Sequence, residues 1–216
     1  MELPQFDHTP YYCEENIYNL CKKLSSSGIA DAQASHLFVV FISNHNKQIP
    51  LWHQKASHRA DGVILWDYHV ICVQIKGSGD APQVWDLDST LAFPSPLPSY
   101  VAQTFQPSFQ LFPEYQRFYR IVHAPIFLRS FASDRRHMKD PNGEWTAQPP
   151  SYDPIIAQDG TIHNLNEYME IHSGDAVPKL EAKVVNAVSE ERLGVVVNEN
   201  QLQQFFAHAS SVTPHS

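Results

Sequence analysis

The run "VILWDYHVICVQI", residues 63 to 75, constrains the fold more than any other stretch of this 216-residue chain. It is rich in β-branched and aromatic residues, and no glycine or proline interrupts it, which predicts a β-strand. Alternation assigns Ile64, Trp66, Tyr68, Val70 and Cys72 to one face, and Val63, Leu65, Asp67, His69, Ile71, Val73 and Ile75 to the other. Two polar residues, Asp67 and His69, therefore interrupt an otherwise aliphatic face. The glycines of "KGSGDAP" mark a turn and "QVWDLDS" alternates again, so residues 63–88 read as a β-hairpin.

The hairpin gives His69 an acidic partner. A turn centred on Gly77-Ser78 sets His69 across from Asp86. One centred on Ser78-Gly79 sets it across from Asp88, with Asp86 on the diagonal. Opposed Cβ atoms lie about 5 Å apart and diagonal ones about 7 Å, so a carboxylate reaches the imidazole in either register. A face carrying Asp67, His69, Asp86 and Asp88 is too polar for a core. It is a functional site or the wet side of an antiparallel sheet. Leu65, Ile71 and Val73 on the same face suit a pocket better than open water.

Around the hairpin, "EENIYNLCKKL" (14–24) carries Ile17, Leu20, Cys21 and Leu24 at helical spacing. Glu14 and Glu15 open this helix, Lys22 and Lys23 close it, and Gly28 terminates it. A second, weaker helix is expected over Asp31 to Phe38, running into "LFVVFIS". "NHNKQIPLW" then turns into an edge segment. "FYRIVHA" fits a strand or a helix end. "LNEYM" fits a short helix with Asn164 as a possible cap, "RLGVVV" a strand, and "NENQLQQFFAH" a final helix. Helices at both ends of a central hairpin predict an α+β fold with a largely antiparallel sheet. The length suits one domain spanning residues 1–216.

A formal charge of −8 argues against nucleic acid as a partner. No apolar run reaches membrane-spanning length. The amino terminus shows neither the basic nor the apolar region of a secretion signal, which predicts a reducing compartment and free thiols. Of the three cysteines, Cys21 and Cys72 sit in apolar stripes and read as core. Cys13 stands just before the first helix. There the unpaired N–H groups and the positive end of the dipole favour a thiolate, and a neighbouring histidine would lower its pKa further. A thiol, an imidazole and a carboxylate make a nucleophile–base–orienter set. His45, His53 and His58 lack metal-helix spacing. "SDRRHMKD" reads as a solvated loop, and no nucleotide-phosphate motif is present.

Seven motifs in order, "YYCEENIYNLC", "VFISN", "IPLW", "LWDYHV", "VWDLDS", "FASDRRHMKD" with its trailing "GEW", and "LNEYM", resemble the protein N-terminal glutamine amidohydrolases. The WDYHV signature of that family is Trp66 to Val70 here. The resemblance runs from Tyr11 to Tyr168, and nothing is carried over for about 170–193. It implies a papain/transglutaminase-like fold with Cys13 as nucleophile, His69 as base and Asp86 as orienter. The implied reaction deamidates an N-terminal glutamine to glutamate and ammonia through a thioester, with no metal or organic cofactor. The implied partners are proteins or peptides with N-terminal glutamine and a downstream arginyl-transferase pathway, with no nucleic acid and no membrane. A monomer in cytoplasm and nucleus is expected. The substrate's α-ammonium needs oxygen acceptors, for which Asp67, Glu14 and Asp88 are candidates. A papain-like protease or transglutaminase, and a silent N-terminus-binding module, are the competing readings.

Overall fold

The computed structural model describes residues 3–77 and 79–212. Its centre is a six-stranded sheet in the order β6-β5-β4-β1-β7-β8, in which every neighbouring pair is antiparallel. The strands are β1 (Leu37–Ser43), β4 (Tyr68–Gln74), β5 (Gln83–Trp85), β6 (Ser95–Pro96), β7 (Phe118–His123) and β8 (Val195–Asn198). A separate two-stranded ribbon pairs β2 (Ile49–Leu51) with β3 (Ile64–Trp66). Antiparallel pairing and flanking helices make the fold α+β, as expected. Among the described residues no helix is long and apolar enough to cross a membrane.

Helices cover both sides of the sheet. On one face, helix α1 (Cys13–Ser26) lays Ile17, Leu20, Cys21 and Leu24 against Val39, Phe41, Val70, Cys72 and Val122. On the other, helices α5 (Ala182–Ala187) and α6 (Glu199–Val212) bring Val185, Leu202, Phe205 and Phe206 against Val40, Ile42, Ile71, Val73 and Ile121. Cys21 and Cys72 meet in the first of these cores, their sulfurs 3.8 Å apart, as free thiols.

Double coverage explains one departure from the expected elements. The expected helix over Asp31 to Phe38 is absent. Asp31 instead accepts the N–H groups of Gln33, Ser35 and His36, which closes a turn, and Leu37 begins β1. A strand buried on both faces is apolar throughout and shows no alternation to betray it. "FYRIVHA" resolves as β7, followed at once by helix α3 (Ala124–Ser130), whose Pro125 suits the first turn. Helix α1 ends at Ser26 as Gly28 takes φ +73°. Asn164 precedes helix α4 (Leu165–Met169) but does not cap it. Its side chain ties Ala132 N–H and Ser130 C=O instead.

The run 63–75 is two strands rather than one. It breaks at Asp67, whose carboxylate accepts the N–H of Tyr68, and β3 leaves the main sheet. The break shifts the alternation by one residue. Trp66 consequently stacks on His69, with ring centroids 5.6 Å apart and planes 14° from parallel, although strict alternation set them on opposite faces. Ser78, the central turn position, lies outside the described residues. The pairs Cys72↔Trp85, Val73↔Val84 and Gln74↔Gln83 nevertheless fix the register, which extrapolates to His69 opposite Asp88 with Asp86 diagonal.

The segment after α3 is anchored to the start of α1. Arg135 donates Nε and Nη2 to the two oxygens of Glu15, each at 2.9 Å, and its remaining donors reach the carbonyls of Pro150 and Tyr152. Both side chains are buried. The "SDRRHMKD" stretch is therefore half interior. Arg136 and Asp134 pair on the surface as a solvated loop would, whereas Arg135 is a core cation held at φ +65°. Glu15→Ala leaves that guanidinium buried without its counter-charge, so it is expected to cost about 3 to 5 kcal/mol in chemical denaturation. Exposed Arg136→Ala is expected to leave the denaturation midpoint nearly unchanged in the same measurement.

Candidate active site

The β4–β5 ladder ends at Cys72↔Trp85, and the chain then turns at Asp86, with Ser89 N–H on its carbonyl at 3.3 Å. The sheet is open at that point, and the polar residues gather in the gap. Asp86 Oδ1 faces His69 Nε2 at 3.1 Å and also accepts the N–H of Asp88 at 2.9 Å. Its Oδ2 accepts the hydroxyl of Tyr100, the last residue of helix α2 (Leu97–Tyr100), at 2.6 Å. Of the two aspartates the hairpin left open, the diagonal one reaches the imidazole. The turn diverts Asp88, whose Oδ1 meets His8 Nε2 at 2.7 Å. His69, Asp86 and Asp88 are all buried, which excludes the wet-face reading.

With Nε2 committed to the Asp86 carboxylate, His69 Nδ1 is left buried with no hydrogen-bond partner. The network thus assigns the proton to Nε2 and a bare lone pair to Nδ1. Burial pushes the His69 pKa down, but the adjoining Asp86 and then Asp88 outweigh it, and the net direction is up from 6.5. Burial also opposes ionisation of Asp86. The His69 and Tyr100 contacts overcome it, so the carboxyl lies below its usual range.

Cys13 is the first residue of α1; its Sγ–H donates to Glu14 Oε2 at 3.8 Å, and the backbone N–H of Val70 lies on the side of the sulfur where it favours the thiolate. The sulfur therefore lies against the main chain of the residue that follows His69. Its N-terminal position raised the expectation of a lowered pKa, and the structure corrects this. Burial and the carboxyls of Glu14, Asp88 and Asp67 push the thiol well above its ordinary value, and the Val70 N–H offsets only part. The resting group is a neutral thiol.

A cavity of about 340 Å³ opens onto Cys13, lined among others by Tyr11, Trp66, Asp67, Tyr68, Asp88 and His137. Asp67 is exposed at its rim, away from the buried His69 group, because the strand break turned it out. Glu14 is fully buried and does not line the cavity. It accepts the Tyr68 hydroxyl at 2.8 Å, and burial pushes its pKa up to about 8. His137 Nε2 stands 3.5 Å from Glu14 and 3.4 Å from the Tyr68 hydroxyl, and burial pushes its pKa down to about 4. Tyr100, His8 and His137 escaped sequence reasoning. They come from distant segments, and no local periodicity connects them to the hairpin.

Among the described residues, His69, Asp86 and Asp88 form the group of metal-ligand type, with donor atoms within 4.8 Å of one another. A cation there would compete with the His69–Asp86 bond and with His8. His45, His53 and His58 do not assemble such a group among those residues; His45 packs against His172 instead, with ring planes tilted by 36°.

Comparison with known proteins gives the chain its family. The family model described as N-terminal glutamine amidase matches residues 8–206. A protein N-terminal glutamine amidohydrolase of Arabidopsis thaliana is 65% identical over 207 residues, which cover 95% of this chain and 94% of the relative. One of Oryza sativa subsp. indica is 50% identical, covering 96% and 90%. One of Drosophila ananassae is 40% identical, covering 76% and 78%. The matched segment contains the thiol at the helix start, the imidazole with its spare nitrogen and the aspartate behind it. The chain belongs to the N-terminal glutamine amidase family.

Proposed function

We propose that this chain hydrolyses the side-chain amide of a protein's N-terminal glutamine, with Cys13 as nucleophile, His69 as general base and acid, and Asp86 as orienter. The observation that carries the reading is the state of His69. Its Nε2 is occupied by Asp86 and its Nδ1 is buried and unpaired, one residue from the N–H that meets the Cys13 sulfur. An imidazole so held is ready to take one proton and return it. A nucleophile at the start of a helix packed on the sheet, with histidine and aspartate on neighbouring strand ends, supports a papain/transglutaminase-like arrangement within the α+β fold.

In this cycle the sulfur attacks the glutamine amide carbon as His69 Nδ1 removes its proton. The Cys13 backbone N–H, in the first turn and free of an intrahelical partner, stabilises the oxyanion. The imidazolium then protonates the leaving nitrogen, ammonia departs, and a thioester remains. His69 next takes a proton from water, which attacks the thioester and releases glutamate. The returning thiolate recovers its proton from the imidazolium. No metal or organic cofactor enters. Because the thiol is neutral at rest, proton transfer accompanies attack instead of preceding it.

The α-ammonium is read by Asp67 at the cavity rim and Asp88 in its wall. Glu14, buried and largely protonated at neutral pH, is a structural partner of Tyr68 in this reading. The product's N-terminal glutamate suits an arginyl-transferase downstream. We assign the chain to cytoplasm and nucleus, acting as a monomer and one domain.

Ammonia release from a Gln-initiated peptide tests the assignment. Cys13→Ala is expected to abolish it and Cys21→Ala to retain it. Turnover of internal glutamine, or peptide cleavage, would favour the protease or transglutaminase reading, and silence toward every peptide the binding module. The acid limb of kcat/KM against pH is expected above 6.5, where the raised His69 loses its proton. Asp86→Asn removes the charge that raises it, so the limb should move to lower pH while the plateau falls on the order of 10²- to 10⁴-fold. Asp67→Asn is expected to raise KM about tenfold with kcat little changed, since it removes one charge-assisted contact.

A further inference from the structure

A second concavity, about 690 Å³, lies beside the active-site cavity, and β3 runs from one into the other. Ile64 and Leu65 line the larger groove, and Trp66 and Asp67 line the cavity that holds Cys13. The groove is apolar, with Pro50, Trp52, Phe109 and Phe112 among its walls. Three of its apolar side chains face water: Leu65 is 51% exposed, Phe109 58% and Phe112 71%. Exposed apolar clusters of this kind mark interaction sites.

The ribbon beneath it has a free edge, which follows from one residue. Pro50 pairs with Leu65 and has no N–H to donate. The ladder bonds must therefore fall at Ile49↔Trp66 and Leu51↔Ile64, the hydrogen-bonded pairs of an antiparallel ribbon. Pro50 C=O accordingly points away from β3, and Arg117 Nη1 takes it at 2.9 Å. By the same alternation Leu65 turns its N–H and C=O to the opposite, outer edge. There, among the described residues, neither group has a partner. Its neighbours on that edge are occupied: Val63 C=O accepts Ser57 and Asp67 C=O accepts Ser43.

We propose that the segment of a substrate protein following its N-terminal glutamine lies extended along this edge, pairs its main chain with Leu65, and sets apolar side chains in the Trp52–Phe109–Phe112 groove. The proposal rests on the deamidase reading and names the substrate class: chain ends that are extended and apolar downstream of glutamine. The occupant follows from continuity. A glutamine whose ammonium meets Asp67 leaves its chain beside β3, and Leu65 is two residues, about 7 Å, away. The substrate's third residue thus comes level with Leu65 and its fourth to sixth residues enter the groove. Main-chain pairing would supply affinity without regard to sequence, and the groove would supply the preference.

Ammonia release is to be measured with Gln-Gly-amide and with two hexapeptides, one bearing Leu and the other Asp at positions four and six. A fourth peptide carries an N-methyl group at residue three. The apolar hexapeptide is expected to exceed the acidic one about tenfold in kcat/KM, the worth of seating an apolar side chain. N-methylation should remove most of its advantage over Gln-Gly-amide. The pair Phe109→Ser and Phe112→Ser, both more than half exposed, should erase the difference between hexapeptides and leave Gln-Gly-amide unchanged. Equal rates for the two hexapeptides in the wild type, or equal losses on all peptides in the variant, would overturn the groove's role and leave the deamidase reading standing. A wild-type chain inert toward Gln-Gly-amide and the hexapeptides alike would overturn both.

Discussion

A buried ion pair joins the third residue of helix α1 to a loop 120 positions further along the chain. Both members, Glu15 and Arg135, have given up their water, and desolvation of that size is recovered only with near-ideal geometry. The two parallel bonds to one carboxylate supply it, and the Pro150 and Tyr152 carbonyls take up the donors left over. The fork sets where α1 begins relative to the loop that carries His137. The thiol at the helix start and the far wall of its cavity thereby become one rigid object. Without it, Cys13 would head a helix located only by its apolar stripe, and a stripe tolerates sliding.

The acidic surroundings of Cys13 are unusual for the nucleophile proposed here. Glu14, Asp67 and Asp88 all oppose ionisation of the thiol, and burial opposes it more. A preformed thiolate–imidazolium pair would gain reactivity at the cost of exposure to oxidants and stray electrophiles. In the proposed reading, an ammonium bound by Asp67 and Asp88 would offset two of the charges that hold the proton on sulfur, so the same carboxylates would serve recognition and activation.

Much of this was legible in the sequence, for identifiable reasons. Helical spacing of apolar residues disclosed α1, and β-branched and aromatic runs disclosed the hairpin and β8. Parity along the hairpin narrowed the partner of His69 to two aspartates. It could not choose between them, since the choice depends on where pairing stops, and Asp86 prevails because the ladder ends at Trp85. The central strand β1 was misread because burial on both faces erases alternation. The break at Asp67 was invisible because its cause is a single side-chain contact to the next N–H. Tyr100, His8 and Arg135 were beyond reach for another reason: each acts across 14 or more positions, where sequence carries no phase.

The strand break gives the WDYHV pentapeptide a meaning apart from the identity of its letters. Trp66 covers the imidazole, Asp67 bends the chain, Tyr68 holds Glu14, His69 meets Asp86, and the Val70 N–H touches the sulfur. Trp66 and His69 meet across three positions, and only a change of phase inside the segment permits that. Substitution can weaken any one of these contacts and spare the others. Deletion or insertion of one residue cannot, because it would rotate every side chain on one side of the bend to the wrong layer. Within such a segment the spacing of the contacts is as much a part of the site as the residues that make them.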